Sequence, residues 1–360
     1  MAMPEYMNQA LHALLSSLPV LGMLLGTGGG AYAQEYRTLL DLRGKWQFEI
    51  GDDEKWADPE FNDADWVKIK VPGQWEGQGF PGYDGCAWYR KTIDIPREWA
   101  GKQLYLELGN VDDVDEVYVN GHFIGFRGQF PPEYVSAYNH DRFYFLPAYC
   151  LRPGQTNLIA VRVYDSELGG GIYRGEIAIK EPVHPLHVDQ EFPSIWKFHI
   201  GDSTAWKTPQ FDDRRWQDIR VPAFWETQGH KGYDGVGWYR ITFKVKPDLQ
   251  GERLILFLGK IDDVDEAYLN GERIGKTGQK FTVNNRDYRL WRAYTIPSEK
   301  LLMDKENTLA VRVYDGFMHG GIYTGPIGLV KREAYLEWEK YKETKSQKKG
   351  WEKLLEWMFE

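Results

Sequence analysis

Two nearly identical acidic stretches, VDDVDEVYVNG from Val111 to Gly121 and IDDVDEAYLNG from Ile261 to Gly271, raise the first chemical question. Side chains of an extended strand alternate between faces, which puts Asp113 and Asp115 on one face and Asp112 on the other. Two carboxylates on one face suit a calcium ion, which takes several oxygen ligands, or a glycosidase pair set about 5 to 9 Å apart. The spacing fits no EF-hand loop, and the Asn-Gly that follows marks a tight hairpin. Asp113 and Asp115 are therefore expected first to bond loop N–H groups, with a structural calcium as the one ion they would hold. No organic cofactor is implied.

A second group of candidates lies on the Gly-rich loop VPGQWEGQGFPGYDGCAWYR, from Val71 to Arg90, and its twin VPAFWETQGHKGYDGVGWYR, from Val221 to Arg240. A sugar site needs a flat ring to stack on the C–H face of a pyranose and amide or carboxylate groups for its hydroxyls. Gln74, Trp75, Glu76, Tyr83 and Asp84 supply these types, as do Trp225, Glu226, Tyr233 and Asp234. Asp165 and Asp315 open the motifs YDSELGGGIYRG and YDGFMHGGIYTG, where they would cap a turn or reach a ligand. Trp88, inside a strand-like WYR, reads as core. The stretch GDST at Gly201 to Thr204 mimics a serine-hydrolase block, yet the twin has Asp53 at the position of Ser203. A turn explains both copies, and a serine without a base is inert. The copies diverge most at GQFPPEYVSAYNHDR and GQKFTVNNRDYRLWR, which marks that loop as the place where their ligands would differ.

These residues recur because the chain is one unit written twice. Trp46 matches Trp196, Trp88-Tyr89-Arg90 matches Trp238-Tyr239-Arg240, and Val161 to Asp165 matches Val311 to Asp315, always 150 residues apart. Short β-prone runs such as QLYLELG and NLIAVRVYD, punctuated by turn residues, predict an all-β fold of two tandem β-sandwich jelly rolls. The first should span residues 34–182 and the second 183–332, joined by the linker Glu181 to Phe192. From 333 to 360 the text becomes charged and helix-prone, with Trp351, Leu354, Leu355 and Met358 on one stripe. This tail either folds back on the second sandwich or offers a docking face to a protein partner or catalytic subunit.

Composition narrows the partners. A net charge of −9 argues against nucleic acid and anionic membranes. Residues 1–33 read as a signal peptide, with an apolar run from Ala10 to Leu25 and Ala31-Tyr32-Ala33 before the cleavage point, so a periplasmic or secreted location is expected. Its n-region departs from the pattern in lacking Lys and Arg and in carrying Glu5. Of the two cysteines, Cys86 and Cys150, unpaired residues are the simpler reading.

The motifs LRGKWQF, VPGQW, WYRKTIDIP, VYVNGHFIG, NLIAVRVYD and GGIYRG give both units a resemblance to the galactose-binding-like, sugar-binding jelly-roll domain of glycoside hydrolase family 2, the β-galactosidase and β-glucuronidase group. They also resemble the jelly-roll domain of sialate O-acetylesterases. The resemblance implies that the catalytic Glu pair of such enzymes belongs to a separate (β/α)8 barrel, and no βα repeat occurs in these 360 residues. It further implies a polar sugar contact just before the Trp of VP..W. Gln74 is compatible with that role; Phe224 is not. The expected function is an exported, non-catalytic carbohydrate-binding or accessory protein of a glycan-degrading system. The alternatives are a family 2-like glycosidase using Glu76, Asp84 or Asp113, and a structural, partner-docking protein.

Overall fold

The computed structural model describes residues 35–132, 134–278, 287–317 and 319–359, with side chains of the C-terminal helix described as far as Lys345. The signal-peptide reading of residues 1–33 lies outside the described residues.

Alternating apolar residues fold residues 36–182 into two facing antiparallel sheets. A six-stranded sheet runs in the order Val67–Val71, Gly44–Ile50, Gly85–Ile95, Gln155–Asp165, Val114–Val119 and His122–Arg127. A four-stranded sheet runs Tyr36–Asp41, Gly171–Pro182, Leu104–Asp112 and Asp141–Leu146. Between them lies a core that includes Trp46, Phe48, Trp75, Tyr89, Leu106 and Val161, the non-directional burial that holds the sandwich. Residues 190–331 repeat the plan. Gln217–Arg220, Ile195–Ile200, Gly235–Phe243, Asn307–Asp315, Val264–Leu269 and Glu272–Thr277 face a sheet centred on Leu254–Asp262, over a second core that includes Trp196, Phe198, Trp225 and Tyr239.

The Asn-Gly signal is used as expected, since Asn120 (φ 49°) and Gly121 (φ 80°) make the left-handed turn between Val114–Val119 and His122–Arg127. One step earlier the chain does something alternation does not anticipate. Leu104–Asp112 belongs to the four-stranded sheet and Val114–Val119 to the six-stranded one, so Asp112-Asp113 is the corner where the chain changes sheets, and its peptide bond is cis. Asp262-Asp263 repeats this.

The two sandwiches touch through aromatic residues. Phe126 stacks on His319 with centroids 3.6 Å apart and meets Phe224 at 5.3 Å, while Phe224 stacks flat on Tyr323 at 5.0 Å. The helix Arg332–Phe359 begins by packing on the second sandwich, where Trp338 is buried beside Phe257 and Trp291 under the Lys342 ammonium. Its first half thus folds back; the stripe from Trp351 to Met358 lies outside the described side chains. No helix among the described residues is long and apolar enough to cross a membrane.

Candidate functional site

The loops after Val71, at the Asp112-Asp113 corner and after Asp165 gather at one end of the first sandwich. Backbone bonds tie them: the Gly73 N–H donates to the Ile172 carbonyl and the Trp75 N–H to the Gly170 carbonyl. Trp75 and Trp225 are corrections to the sugar-site reading. Both are fully buried, with their indole N–H groups donating to the carbonyls of Tyr83 and Tyr233, so neither ring is open to a pyranose. They plug the sandwich end, and this explains the glycine run, because a Cβ at Gly170 or Gly320 would overlap the plugging indole. Trp88 is buried too, as expected of core.

What remains around the first plug is polar. Gln74 and Asp84 are exposed, Tyr83 is half-buried with its hydroxyl on the Cys86 carbonyl at 2.7 Å, and Glu76 Oε1 accepts from the Gly170 N–H at 3.0 Å. In the second sandwich Asp234 is exposed, the Tyr233 hydroxyl donates to the Val236 carbonyl at 3.0 Å, and Glu226 Oε1 accepts from the Gly320 N–H. There, however, Phe224 stands where Gln74 stands in the first, and it is occupied by Tyr323 and by Phe126 of the first sandwich.

The acidic motif divides differently from its sequence reading. Asp115, expected to share a cation with Asp113, is fully buried and paired with Arg142 at 2.6 Å, while the Tyr144 hydroxyl donates to its other oxygen. The remaining Arg142 protons go to the carbonyls of Ala137, His140 and Asp113. Burial pushes the Asp115 carboxyl up against the pull of Arg142. Asp115 is therefore a staple between loop and corner, sealed from solvent, charge-paired with Arg142 and with a donor on each of its oxygens. Asp265, Arg292 and Tyr294 repeat the staple.

Asp113 instead faces Asp112 and Asp165. The three offer carboxylate oxygens all within 4.8 Å of one another, and Asp262, Asp263 and Asp315 do the same in the second sandwich. The placement of Asp112 beside Asp113 corrects the alternation argument, which presumes one continuous strand, whereas the chain changes sheets here. Asp113 accepts from Tyr134 Oη (2.6 Å), Ser136 Oγ (2.5 Å), and the N–H (3.1 Å) and Oγ (2.9 Å) of Ser166. Burial opposes its charge, yet these donors hold it below the usual carboxylate range. Asp165 has less help, from the Glu167 backbone N–H: it is fully buried and no described side chain donates to either of its oxygens. Burial, then the neighbouring Asp112, pushes it up to about 7. Asp112 rises to about 7 through burial and its contact with Asp113. In the second sandwich burial lifts Asp262 to about 9, Glu226 to about 8 and Asp315 to about 7.

Other candidates resolve simply. Ser203 caps the short turn Thr204–Lys207 as Asp53 caps Glu54–Ala57, which accounts for GDST without a nucleophile. Cys86 and Cys150 are free. Part of the divergent loop in the second copy lies outside the described residues; in the first, Phe130 lies under the Arg162 guanidinium at 4.1 Å. A surface hollow of 480 Å³ lined by Glu54, Asp58, Asn120 and Gly121 sits at the far end of Val114–Val119 and contains none of the expected residues.

Comparison with known proteins points one way. No family model matches the chain. A β-galactosidase of Bacteroides ovatus is 32% identical over 169 residues, 41% of this chain and 18% of that enzyme. A β-glucuronidase of Formosa agariphila is 25% identical over 175 residues, 44% of this chain and 15% of that enzyme. Among solved structures, a β-glucuronidase of Bacteroides uniformis aligns over 79% of this chain and 28% of its own, at 17% identity and a TM-score of 0.35. The chain thus resembles the β-galactosidase and β-glucuronidase group over about two fifths of its length, and the match spans less than a fifth of those curated relatives.

Proposed function

We propose that the chain is an exported carbohydrate-binding protein, an accessory part of a glycan-degrading system, without glycosidase chemistry of its own. The observation that carries the carbohydrate reading is the 32% identity to a β-galactosidase over 169 residues. The geometry supports it. Gln74 and Asp84 rim the end of the first sandwich as exposed hydrogen-bonding groups, whereas the deepest carboxylate there, Asp165, is shut off from any substrate. Binding is assigned to the first sandwich, because Phe224 and Phe126 fill the corresponding place in the second. Export rests on the leader-like residues 1–33. The calcium expected at Asp113 and Asp115 is re-assigned, since Asp115 is engaged by Arg142.

Titration of the full chain with galactosides, glucuronides and sialylated glycans tests the reading. Gln74→Ala or Asp84→Asn should weaken binding about five- to tenfold, the worth of one hydrogen bond, without moving the melting temperature. Binding that survives both changes, or no binding to any of these glycans, overturns it. The names of the relatives favour one second reading, a glycosidase built on Glu76, Asp84 or Asp113; turnover of nitrophenyl glycosides that vanishes in Glu76→Gln would establish it.

A further inference from the structure

Three carboxylates drawn together need a reason, and within the first sandwich the usual one is missing. Arg142, the cation nearest the corner, is spent on Asp115 and three carbonyls. No ion pair or hydrogen bond from a Lys or Arg reaches Asp112 or Asp165 among the described residues, and the buried oxygens of Asp165 receive no side-chain donor. An unpaired buried carboxylate is costly enough that native structures nearly always supply a partner. That partner must be positive or carry protons, and it must fit between the three side chains.

We propose that Asp112, Asp113 and Asp165 form a binding site for one hard divalent cation of calcium type at the sheet-crossing corner of the first sandwich. Calcium sits about 2.3 to 2.6 Å from each oxygen, so ligands on opposite sides of one ion lie up to about 5 Å apart. The spread of the three ligand atoms, within 4.8 Å, matches that span. Asp113 is already turned into place by Tyr134, Ser136 and Ser166; its Oδ1 accepts only from Ser136 and keeps a lone pair for the ion. Asp165 supplies its buried oxygens from the closed side, and half-buried Asp112 leaves an approach for the ion and its waters. The site would tie together the end of Leu104–Asp112, the start of Val114–Val119 and the loop after Gln155–Asp165. It is independent of the sugar-binding reading.

The test uses the full chain after chelation. Ca2+ at about 1 mM, the range of extracellular calcium modules, should raise the melting temperature by about 3 °C or more. Tb3+ should show luminescence sensitised by Trp75, which adjoins Asp165 across Gly170. Asp165→Asn and Asp112→Asn should each remove one bound equivalent in calorimetry, whereas Asp315→Asn, in the matching triad of the other sandwich, should leave the first-sandwich equivalent in place. Without calcium, Asp165→Asn should melt no lower than the parent, because it removes a buried like charge. The proposal is overturned if calcium neither binds nor shifts melting of the unmodified chain, or if both first-sandwich variants retain every equivalent.

Discussion

Replacing Asp115 by Asn asks whether the second acid of DDVDE is scaffold, and the structure sets the size of the answer. Asp115 and Arg142 are both sealed from solvent, and the guanidinium also holds the Ala137, His140 and Asp113 carbonyls. An amide keeps the shape and one acceptor but leaves Arg142 as an uncompensated buried charge, which costs about 3 to 5 kcal/mol. For a sandwich of this size each kcal/mol lowers the melting temperature by about 2 to 4 °C, so a fall of about 6 to 20 °C is expected. Circular dichroism melts of the full chain measure it, and Asp265→Asn should produce a matching fall for the paired staple with Arg292. Joint replacement by Asp115→Leu and Arg142→Met should recover most of the loss, since buried pairs often equal well-packed apolar residues. A fall of less than about 2 °C in Asp115→Asn would refute the staple.

Two further outcomes follow from the contacts around the sandwiches. Burial lowers His319, stacked on Phe126, to about 4 from an ordinary 6.5, so the folded chain takes up its proton later than the unfolded chain. Stability from this group is complete above 6.5 and declines as the pH falls toward 4. Between pH 7.5 and 5 the parent should lose about 2 kcal/mol relative to His319→Phe, and parallel denaturation profiles for the two proteins would exclude the effect. Trp338→Ala removes the anchor between Phe257 and Trp291 and should cost about 3 kcal/mol of helix docking. Limited proteolysis within residues 332–345 reads this out; unchanged resistance would count against the docking.

The plan of the fold was legible because its signals are local. Asn120-Gly121 announces its own hairpin, and the 150-residue repeat carries each strand from one copy to the other. The candidate site was legible only as a neighbourhood. Trp75 has the residue type of a stacking platform, and only its closeness to Gly170 shows that it plugs the core. Alternation sets Asp112 and Asp113 on opposite faces of one strand, but the chain changes sheets between them. The partner of Asp115 lies 27 residues on, beyond any local pattern. A signal for it did exist: Arg142 and Tyr144, on Asp141–Leu146, recur as Arg292 and Tyr294, together with the repeated Asp115 and Asp265.

That contrast separates scaffold from ligand chemistry in a duplicated chain. The staple, the plugging Trp and the three corner carboxylates are the same in both copies. Differences collect around the acidic corner. Ser166, which gives Asp113 both an N–H and a hydroxyl, is Gly316 in the second copy, where the N–H reaches Asp263 at 3.3 Å, and Gln74 is replaced by Phe224. A ring at Phe224 gains nothing from sugar hydroxyls, but it gains apolar contact with Tyr323 and Phe126. The same substitution that removes a hydrogen-bonding group from the second sandwich end thus builds the contact between the sandwiches, which leaves the exposed polar rim of the first free to take a ligand.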